Sequence, residues 1–329
     1  SEVARFIEDY ARRIGAPVET GVEVRALVRE SGSDRLLLDT SQGRLIARHV
    51  VIATGPFQRP IVPDGATSLP ESITEVTASR YVEPKALPEG AVLVVGSGSS
   101  GCQIAEELAE AGRTVFLSVG RHRRAPRRYR GRDITEWFVD IGAFDATVDS
   151  LPGGRIPPPL VVTGGGGGHD IDVRRYPERG IVLLGSFAGI ENGRFFFEAN
   201  LGANLDEADL GEAAITASID AYVTAHGLDA PDAEHVATSR VDLDAPRQLD
   251  IAATGITSVI WCCGYGFDFD WVRVPVLDAR GCPEQRRGMT AIPGVYFLGL
   301  HWMHTFRSGL LFGVGEDARF LADQIASRG

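Results

Sequence analysis

A glycine-rich turn is the segment of this chain whose residue types and spacing point most directly to chemistry. It consists of Gly96, Ser97, Gly98, Ser99, Ser100 and Gly101. Apolar runs at 91–95 and 114–119 flank the turn and a helical pattern, so the segment forms a βαβ unit. In such a unit the three glycines allow a tight turn, close approach of a pyrophosphate, and close packing of helix on strand. We predict that a dinucleotide pyrophosphate binds the free N–H groups at the start of this helix.

The end of the second strand carries residues suited to a nucleotide phosphate. NAD sites usually have an acidic residue there, which binds a ribose hydroxyl. This chain has Ser118 instead, followed three residues later by Arg121. A carboxylate repels a 2′-phosphate, whereas a hydroxyl and a guanidinium group donate hydrogen bonds to it. We predict a preference for NADPH through Ser118 and Arg121, with Arg123 and Arg124 as weaker candidates.

Seven arginines lie among the twelve residues from Arg121 to Arg132. One phosphate needs far fewer, so we expect most of these side chains to form a solvated basic face. The formal net charge of the whole chain is −11. A chain this acidic is not expected to bind nucleic acid or an anionic membrane surface.

Length and composition indicate a globular protein built from two lobes. The chain has 329 residues, of which 44% are hydrophobic and 23% charged, and no apolar run approaches the roughly 20 residues of a membrane helix. We therefore expect a cytoplasmic protein that does not enter membranes. The cysteines show no metal-ligand or disulfide spacing, so we expect reduced thiols and no metal. They are Cys102, Cys262, Cys263 and Cys282.

Periodicity predicts the remaining elements. Helical spacing of apolar residues predicts an amphipathic helix at 3–14, and alternating runs predict an antiparallel meander. The meander strands are expected at 22–28, 35–38 and 45–52. Residues 60–88 are expected to form a connection between the lobes. A glycine- and proline-rich stretch at 151–170 predicts loop. Further helices are expected at 213–226 and 309–326, with strands at 258–262 and 295–298.

The order of these signals resembles the FAD-dependent oxidoreductases of the flavin-containing monooxygenase type. In that family an NADPH domain interrupts an FAD domain. The resemblance rests on two hinge-like stretches and on a closing strand and helix. The residues that match the family's flavin-contacting positions are Ala53, Thr54, Gly55, Gly264, Gly299, Ser308, Gly309 and Leu310. Cys262 and Cys263 stand where the second hinge usually has alanine and threonine.

The resemblance implies an α/β fold with two dinucleotide-binding domains, in which a Rossmann-like NADPH domain is inserted in an incomplete FAD domain. The implied division is 1–88 for the first FAD segment, 89–250 for the NADPH domain and 251–329 for the second FAD segment. Free N–H groups around Gly309 and Leu310, at the start of the closing helix, would stabilise the negative charge of reduced flavin. FAD and NADPH are the implied cofactors.

The resemblance also implies an activity. It implies hydride transfer from NADPH to FAD, reaction of the reduced flavin with oxygen, and oxygenation of a nucleophilic nitrogen or sulfur in a small-molecule substrate. The flavin supplies the difficult chemistry, so no catalytic side chain is assigned. Two alternatives stay open: a flavin-dependent reductase or dehydrogenase without oxygen insertion, and a non-catalytic NADPH-binding fragment of a split flavoprotein.

Two further features depart from the family pattern. The family's first strand and its FAD-binding G-x-G-x-x-G turn are absent, so we expect the chain to begin inside the first FAD segment. Roughly 70 to 100 residues would then be missing, flavin would be lost easily, and the partner would be that segment or a second copy in a homodimer. The histidine of the Baeyer–Villiger fingerprint is also absent at 76–81, which disfavours ketone oxygenation.

Overall fold

A computed structural model describes residues 2–151, 153, 156–158, 160–233 and 245–327 of the chain. The helices in these residues are α1 (Glu2–Arg13), α2 (Ser99–Glu110), α3 (Ile134–Asp140), α4 (Leu201–His226), α5 (Ile251–Thr254) and α6 (Val314–Ala326). The strands of the first third are β1 (Val24–Arg29), β2 (Leu36–Thr40), β3 (Gly43–Ala47), β4 (Val50–Ile52), β5 (Arg59–Pro60), β6 (Thr74–Thr77) and β7 (Ala91–Val95). Those that follow are β8 (Val115–Ser118), β9 (Arg123–Arg124), β10 (Arg128–Tyr129), β11 (Arg132–Asp133), β12 (Leu160–Val161), β13 (Ile181–Leu184), β14 (Phe187–Glu191), β15 (Arg194–Phe197), β16 (Gln248–Asp250), β17 (Ile256–Trp261), β18 (Tyr265–Gly266) and β19 (Val295–Phe297).

A five-stranded parallel sheet forms the centre of the nucleotide lobe. Its strand order is β13-β8-β7-β17-β6, and each neighbouring pair runs parallel. All residues of β7 and β8 are buried, because the sheet is covered on both faces and its inner strands must be apolar throughout. Ligands of such sheets bind at the carboxyl ends of the strands, where the strand order reverses. In this sheet that position lies beyond β7, where the glycine-rich turn begins.

Two strands of this sheet lie outside the predicted NADPH domain of residues 89–250. Strands β6 and β17 were assigned to the two FAD segments, but both belong to the same sheet as β7. Ile260 pairs with Val94 on one side and with Val76 on the other. Parallel pairing therefore brings strands from before and after the predicted 89–250 domain to its sheet.

The second lobe is built on the predicted antiparallel meander, which is confirmed for β1, β2 and β3. The expected strand at 45–52 is two strands. Its second half, β4, leaves the meander and pairs in parallel with β19, so that Val50 lies opposite Val295. The core of this lobe includes Leu27, Leu36, Ile52, Val295 and Phe297. The apolar pattern at 45–52 is continuous, so it gave no indication that β3 and β4 pair with different strands.

Two helices differ from expectation. Helix α1 forms as predicted, but its apolar face is exposed, with Phe6 at 71% and Tyr10 at 57%. Helix α4 begins at Leu201, twelve residues before the predicted start at 213. Its first half is rich in carboxylates, which weakens the amphipathic pattern, yet these groups have arginine partners in the fold. No helix in the described parts of the chain has the length and apolar character that crossing a membrane demands.

The basic run at 121–132 is not the solvated face expected from its composition. Arg124 lies within 3.1 Å of carboxylate oxygens of Asp172, Asp209 and Glu212. Arg174 binds Asp206 and Asp209 on the same side of α4. Other pairs formed by the run are Arg121–Glu207, Arg127–Asp133, Arg130–Asp220, Arg132–Glu136 and Arg132–Asp140. Internal ion pairs therefore neutralise most of the run, and those of Arg121, Arg124 and Arg130 fasten α4 to it.

Replacing Arg124 should destabilise the fold. The Arg124 side chain is 13% exposed, and Arg124→Ala leaves its three carboxylates without their shared partner. Urea unfolding should show a loss of about 3 kcal/mol at neutral pH. Burial raises the pKa of Glu212, and Arg124 opposes that rise. The loss should therefore shrink on acidification, because protonated Glu212 carries no unpaired charge.

Arg128→Ala is the matched control for this prediction. Arg128 is exposed, and its Nη2 donates to the carbonyl oxygen of Gly131. We expect the control to change the free energy of unfolding by no more than about 0.5 kcal/mol. Equal losses in both variants would contradict a role for the ion pairs.

Candidate functional site

The glycine-rich turn at the end of β7 has the geometry of a nucleotide-binding turn. Gly96 has φ +110°, and a Cβ atom on it would lie 2.3 Å from the carbonyl oxygen of Cys262. A Cβ atom on Gly101 would lie 1.8 Å from the carbonyl oxygen of Gly96. At Gly98, by contrast, nothing lies within 4 Å of a Cβ atom. Gly96 and Gly101 therefore serve close packing, while Gly98 borders open space.

This turn fits a dinucleotide pyrophosphate. Helix α2 begins at Ser99 with Gly98 as its N-cap residue, and no side chain caps it. The first N–H groups of a helix have no partner within it and carry a partial positive charge. Ser99 and Ser100 belong to this first turn and are not buried. The open side of Gly98 thus faces donors that suit an anion.

Ser97 and Ser118, both predicted to contact the nucleotide, donate their hydroxyl hydrogens to backbone carbonyl oxygens of the protein. Ser97 is 2% exposed, and its Oγ donates to the carbonyl oxygen of Gly120. Ser118 is 1% exposed, and its Oγ donates to the carbonyl oxygen of Gly185 at 2.9 Å. The predicted contact between Ser118 and a 2′-phosphate is wrong, because that hydroxyl is buried and already bonded.

Arg121 and Arg123, the predicted phosphate-binding arginines, have different surroundings. Arg121 is exposed, and its Nε and Nη2 bind Glu207 at 2.9 and 2.6 Å. Arg123 is half-buried and belongs to β9, where its Nε has no hydrogen-bond partner among the described residues. Burial lowers the pKa of Arg123. Arg124, the other candidate, already forms ion pairs with three carboxylates, so Arg121 and Arg123 remain as anion-binding candidates.

The two hinge-like stretches lie side by side. Strands β5 and β18 pair in an antiparallel ribbon, and Ile61 N donates to the carbonyl oxygen of Gly264. Gln58 fastens the ribbon: its Nε2 donates to Thr54 Oγ1 and to the carbonyl oxygen of Gly55, both at 2.8 Å. Its Oε1 accepts a hydrogen bond from Asp268 N. The chain therefore crosses between the lobes twice at one place.

An aromatic cluster lies at this crossing. The Phe57 ring makes edge contacts with Tyr265 at 5.4 Å and with His301 at 5.3 Å, measured between centroids. Burial lowers the pKa of His301. Ala53 and Thr54 are exposed beside the cluster. Residues from three separate stretches thus form one surface, which suits the ring end of a flavin.

The closing segment differs from its prediction. Helix α6 begins at Val314, not near Gly309, which lies in a 3-10 turn from Phe306 to Gly309. Leu310 N donates to the carbonyl oxygen of Arg307, so it is not a free donor for flavin.

Ser308 is the reason for the 3-10 turn. Its side chain is fully buried and accepts from the backbone N–H groups of His304 and Thr305 at 3.1 and 3.0 Å, which closes the turn and delays the helix. A contact between the Ser308 hydroxyl and flavin is therefore ruled out in this arrangement. Gly299, which has φ +78°, follows β19 where the backbone leaves the sheet beside Ile52.

The cysteines near the turn are poor nucleophiles. Burial raises the pKa of Cys102 and of Cys262 to about 12, and that of Cys263 to about 11. The thiolate is the reactive form of cysteine, so these groups stay protonated at neutral pH.

The residues that sequence reasoning missed are His122, Gln58 and Phe57. Gln58 and Phe57 follow the first hinge closely, and a search for polar and aromatic residues next to the hinge could have found them. His122 gave no signal because it stands among arginines and resembles a surface residue.

Substitutions at Gly98 and Gly101 should separate binding from folding. Gly98→Val places its side chain in open space, so the free energy of unfolding should change by less than about 1 kcal/mol while nucleotide binding is lost. Gly101→Ala forces a Cβ atom against the Gly96 carbonyl and should destabilise the fold by about 1 to 3 kcal/mol. Calorimetric titration with NADPH, beside urea unfolding, measures both effects. Retained binding in Gly98→Val would show that the turn faces no ligand.

Known proteins resemble this chain in sequence and in fold. Residues 1–137 match the family model described as pyridine nucleotide-disulphide oxidoreductase. A CzcO-like oxidoreductase of Geobacillus kaustophilus is 32% identical over 326 residues, covering 98% of this chain and 77% of that protein. The fold matches a flavin-containing monooxygenase from Stenotrophomonas maltophilia with a TM-score of 0.63 at 17% identity, over 99% of this chain and 76% of the other. It also matches a bacillithiol disulfide reductase from Bacillus cereus with a TM-score of 0.54 at 15% identity, over 99% and 77%. The chain belongs to the CzcO-like oxidoreductases, and is an enzyme with the two-dinucleotide fold of flavin monooxygenases.

Proposed function

We propose that this enzyme is an NADPH-dependent flavin monooxygenase that oxygenates a nucleophilic nitrogen or sulfur atom in a small molecule. The observation that carries the proposal is the junction at Cys262. Its carbonyl oxygen packs against Gly96 of the nucleotide turn, and two residues later the chain enters the hinge ribbon at Gly264. A nucleotide held on the turn and a flavin held beside the ribbon would thus lie at one junction of the two lobes.

In this proposal the residues of the chain bind and orient the nucleotide and the flavin. The start of α2 would hold the pyrophosphate, and Arg121 with Arg123 would hold the 2′-phosphate. The surface around Phe57, Tyr265 and His301 would contact the flavin ring and exclude water from it. A bound flavin would supply hydride acceptance and oxygen activation. We assign no described residue to proton transfer in this reaction.

The state of the cysteines favours a monooxygenase over a thiol-dependent reductase. A disulfide reductase appears among the structural neighbours, and a dithiol mechanism needs a reactive thiolate. The pKa values of Cys262 and Cys263 are raised to about 12 and 11 by burial. At neutral pH fewer than roughly one in a thousand of these thiols would be ionised.

Product analysis with added FAD tests the oxygenation. The enzyme is supplied with FAD, NADPH and oxygen, and then with a thioether or a tertiary amine. We expect NADPH oxidation together with a sulfoxide or an N-oxide that takes up ¹⁸O from labelled oxygen. NADPH oxidation that yields hydrogen peroxide alone would support a flavin reductase. Nucleotide binding without any oxidation would support a non-catalytic fragment.

Selectivity for NADPH should depend on the pair formed by Arg121 and Glu207. Arg121→Ala should weaken NADPH binding by roughly tenfold or more and leave NADH binding unchanged, because only NADPH has the 2′-phosphate. Glu207→Gln should act in the opposite direction and tighten NADPH binding by about two- to fivefold. It releases Arg121 from a weak surface pair and removes a negative charge near the phosphate.

Arg25→Ala is the control for these titrations. Arg25 forms a comparable exposed pair with Glu23 at 3.0 Å, but it lies on β1 in the other lobe. It should alter neither dissociation constant. Equal binding of NADH and NADPH by the wild-type enzyme would remove the proposed selectivity.

A further inference from the structure

A buried histidine joins the two segments that border the nucleotide crevice. His122 stands between two arginines in sequence, yet it is 1% exposed. Its Nδ1 lies 3.0 Å from the carbonyl oxygen of Gly120 and 3.1 Å from Ser97 Oγ. Ser97 Oγ in turn lies 3.1 Å from the same carbonyl oxygen. We call this triangle of His122, Ser97 and Gly120 the clasp.

The donors and acceptors of the clasp fix the tautomer of His122. A carbonyl oxygen only accepts, so Nδ1 carries the hydrogen and donates toward Gly120, while the Ser97 hydroxyl donates to the same oxygen. Nε2 then carries no hydrogen. It is buried and has no partner among the described residues. Burial lowers the pKa of His122, and the nearby charge of Arg124 lowers it further. A lowered pKa favours the neutral imidazole at neutral pH.

The clasp joins the two segments that border the proposed nucleotide site, so it can affect nucleotide binding. Ser97 is the second residue of the glycine-rich turn, which follows β7. Gly120 follows β8 and directly precedes Arg121. In a dinucleotide-binding sheet the adenosine lies between these two segments, with the pyrophosphate at the first and the ribose at the second. The clasp therefore sets the distance between the pyrophosphate donors and the ribose end of the site.

We propose that His122 is a positioning residue, which sets the affinity for both nicotinamide dinucleotides by holding Ser97 and Gly120 at a fixed separation. The inference rests on the proposed nucleotide site and adds a determinant distinct from Arg121. Arg121 distinguishes NADPH from NADH through one phosphate. His122 acts on the backbone that both nucleotides share, so it affects the two equally.

Three variants test this inference. His122→Phe keeps the ring volume and removes the Nδ1 donor. His122→Asn keeps a donor close to the position of Nδ1. Ser97→Ala removes the opposite side of the clasp with a smaller change in volume, and remains informative if His122→Phe does not fold. His226→Gln is the control, because His226 is exposed on α4 and its Nδ1 contacts only the carbonyl oxygen of Tyr222 in its own helix.

Calorimetric titration of each variant with NADPH and NADH gives the decisive quantities, with thermal unfolding measured in parallel. We expect His122→Phe to raise both dissociation constants by about tenfold with their ratio unchanged, and Ser97→Ala to raise both by about threefold. His122→Asn should restore both to within about twofold of wild type, which a merely space-filling role would not require.

Three results would overturn the inference. They are wild-type affinity in folded His122→Phe, a loss confined to NADPH, and equal losses in His122→Asn and His122→Phe. Failure of the wild-type enzyme to bind either nucleotide would overturn the proposed nucleotide site itself, and the inference with it. The wild-type titration therefore distinguishes the two failures.

Discussion

The arrangement of this enzyme depends on the close approach of two backbone segments, at Gly96 and Cys262. A Cβ atom at residue 96 would lie 2.3 Å from the carbonyl oxygen of Cys262, and Cys262 N donates to the carbonyl oxygen of Val95 at 2.8 Å. Parallel pairing of β17 with β7 makes this contact unavoidable. Because Cys262 also leads into the hinge ribbon, the sheet itself holds the glycine-rich turn close to the aromatic surface around Phe57 and Tyr265.

Charge is distributed so that few arginines remain for a ligand. The carboxylates of α4 and of the segment before β13 surround Arg124 and Arg174, and their mutual attraction offsets the cost of partly burying them. Arg121 has one exposed carboxylate partner, and the buried Nε of Arg123 has no hydrogen-bond partner in the described part of the chain. A chain with net charge −11 can therefore present a local positive site next to the helix N-terminus. The same clustering opposes nonspecific attraction to polyanions.

The aromatic surface around Phe57, Tyr265 and His301, which we propose contacts the flavin, is assembled from three stretches distant in sequence. The ribbon of β5 and β18 brings Phe57 to Tyr265, and the loop before α6 adds His301. That loop is in turn held against the nucleotide lobe, since Val148 N donates to the carbonyl oxygen of His304. The Arg307 guanidinium also binds Asp145 at 2.6 Å. The surface is thus anchored to both lobes, which limits how far they can separate without breaking these contacts.

Elements whose signal lies in consecutive residues could be predicted from the sequence. The glycine spacing, the apolar run of β7 and the helical period of α2 indicated the βαβ unit, and the alternation of β1 to β3 indicated the meander. Tertiary structure decided what depends on partners far along the chain. It placed β6 and β17 in the nucleotide sheet, buried Ser118 against Gly185, paired the basic run with α4, and closed the turn at Ser308 so that α6 begins at Val314. The physical reason is that strand pairing, burial and ion pairing depend on distances across the fold. A serine or an arginine has the same local pattern whether its partner is a ligand, solvent or another part of its own chain.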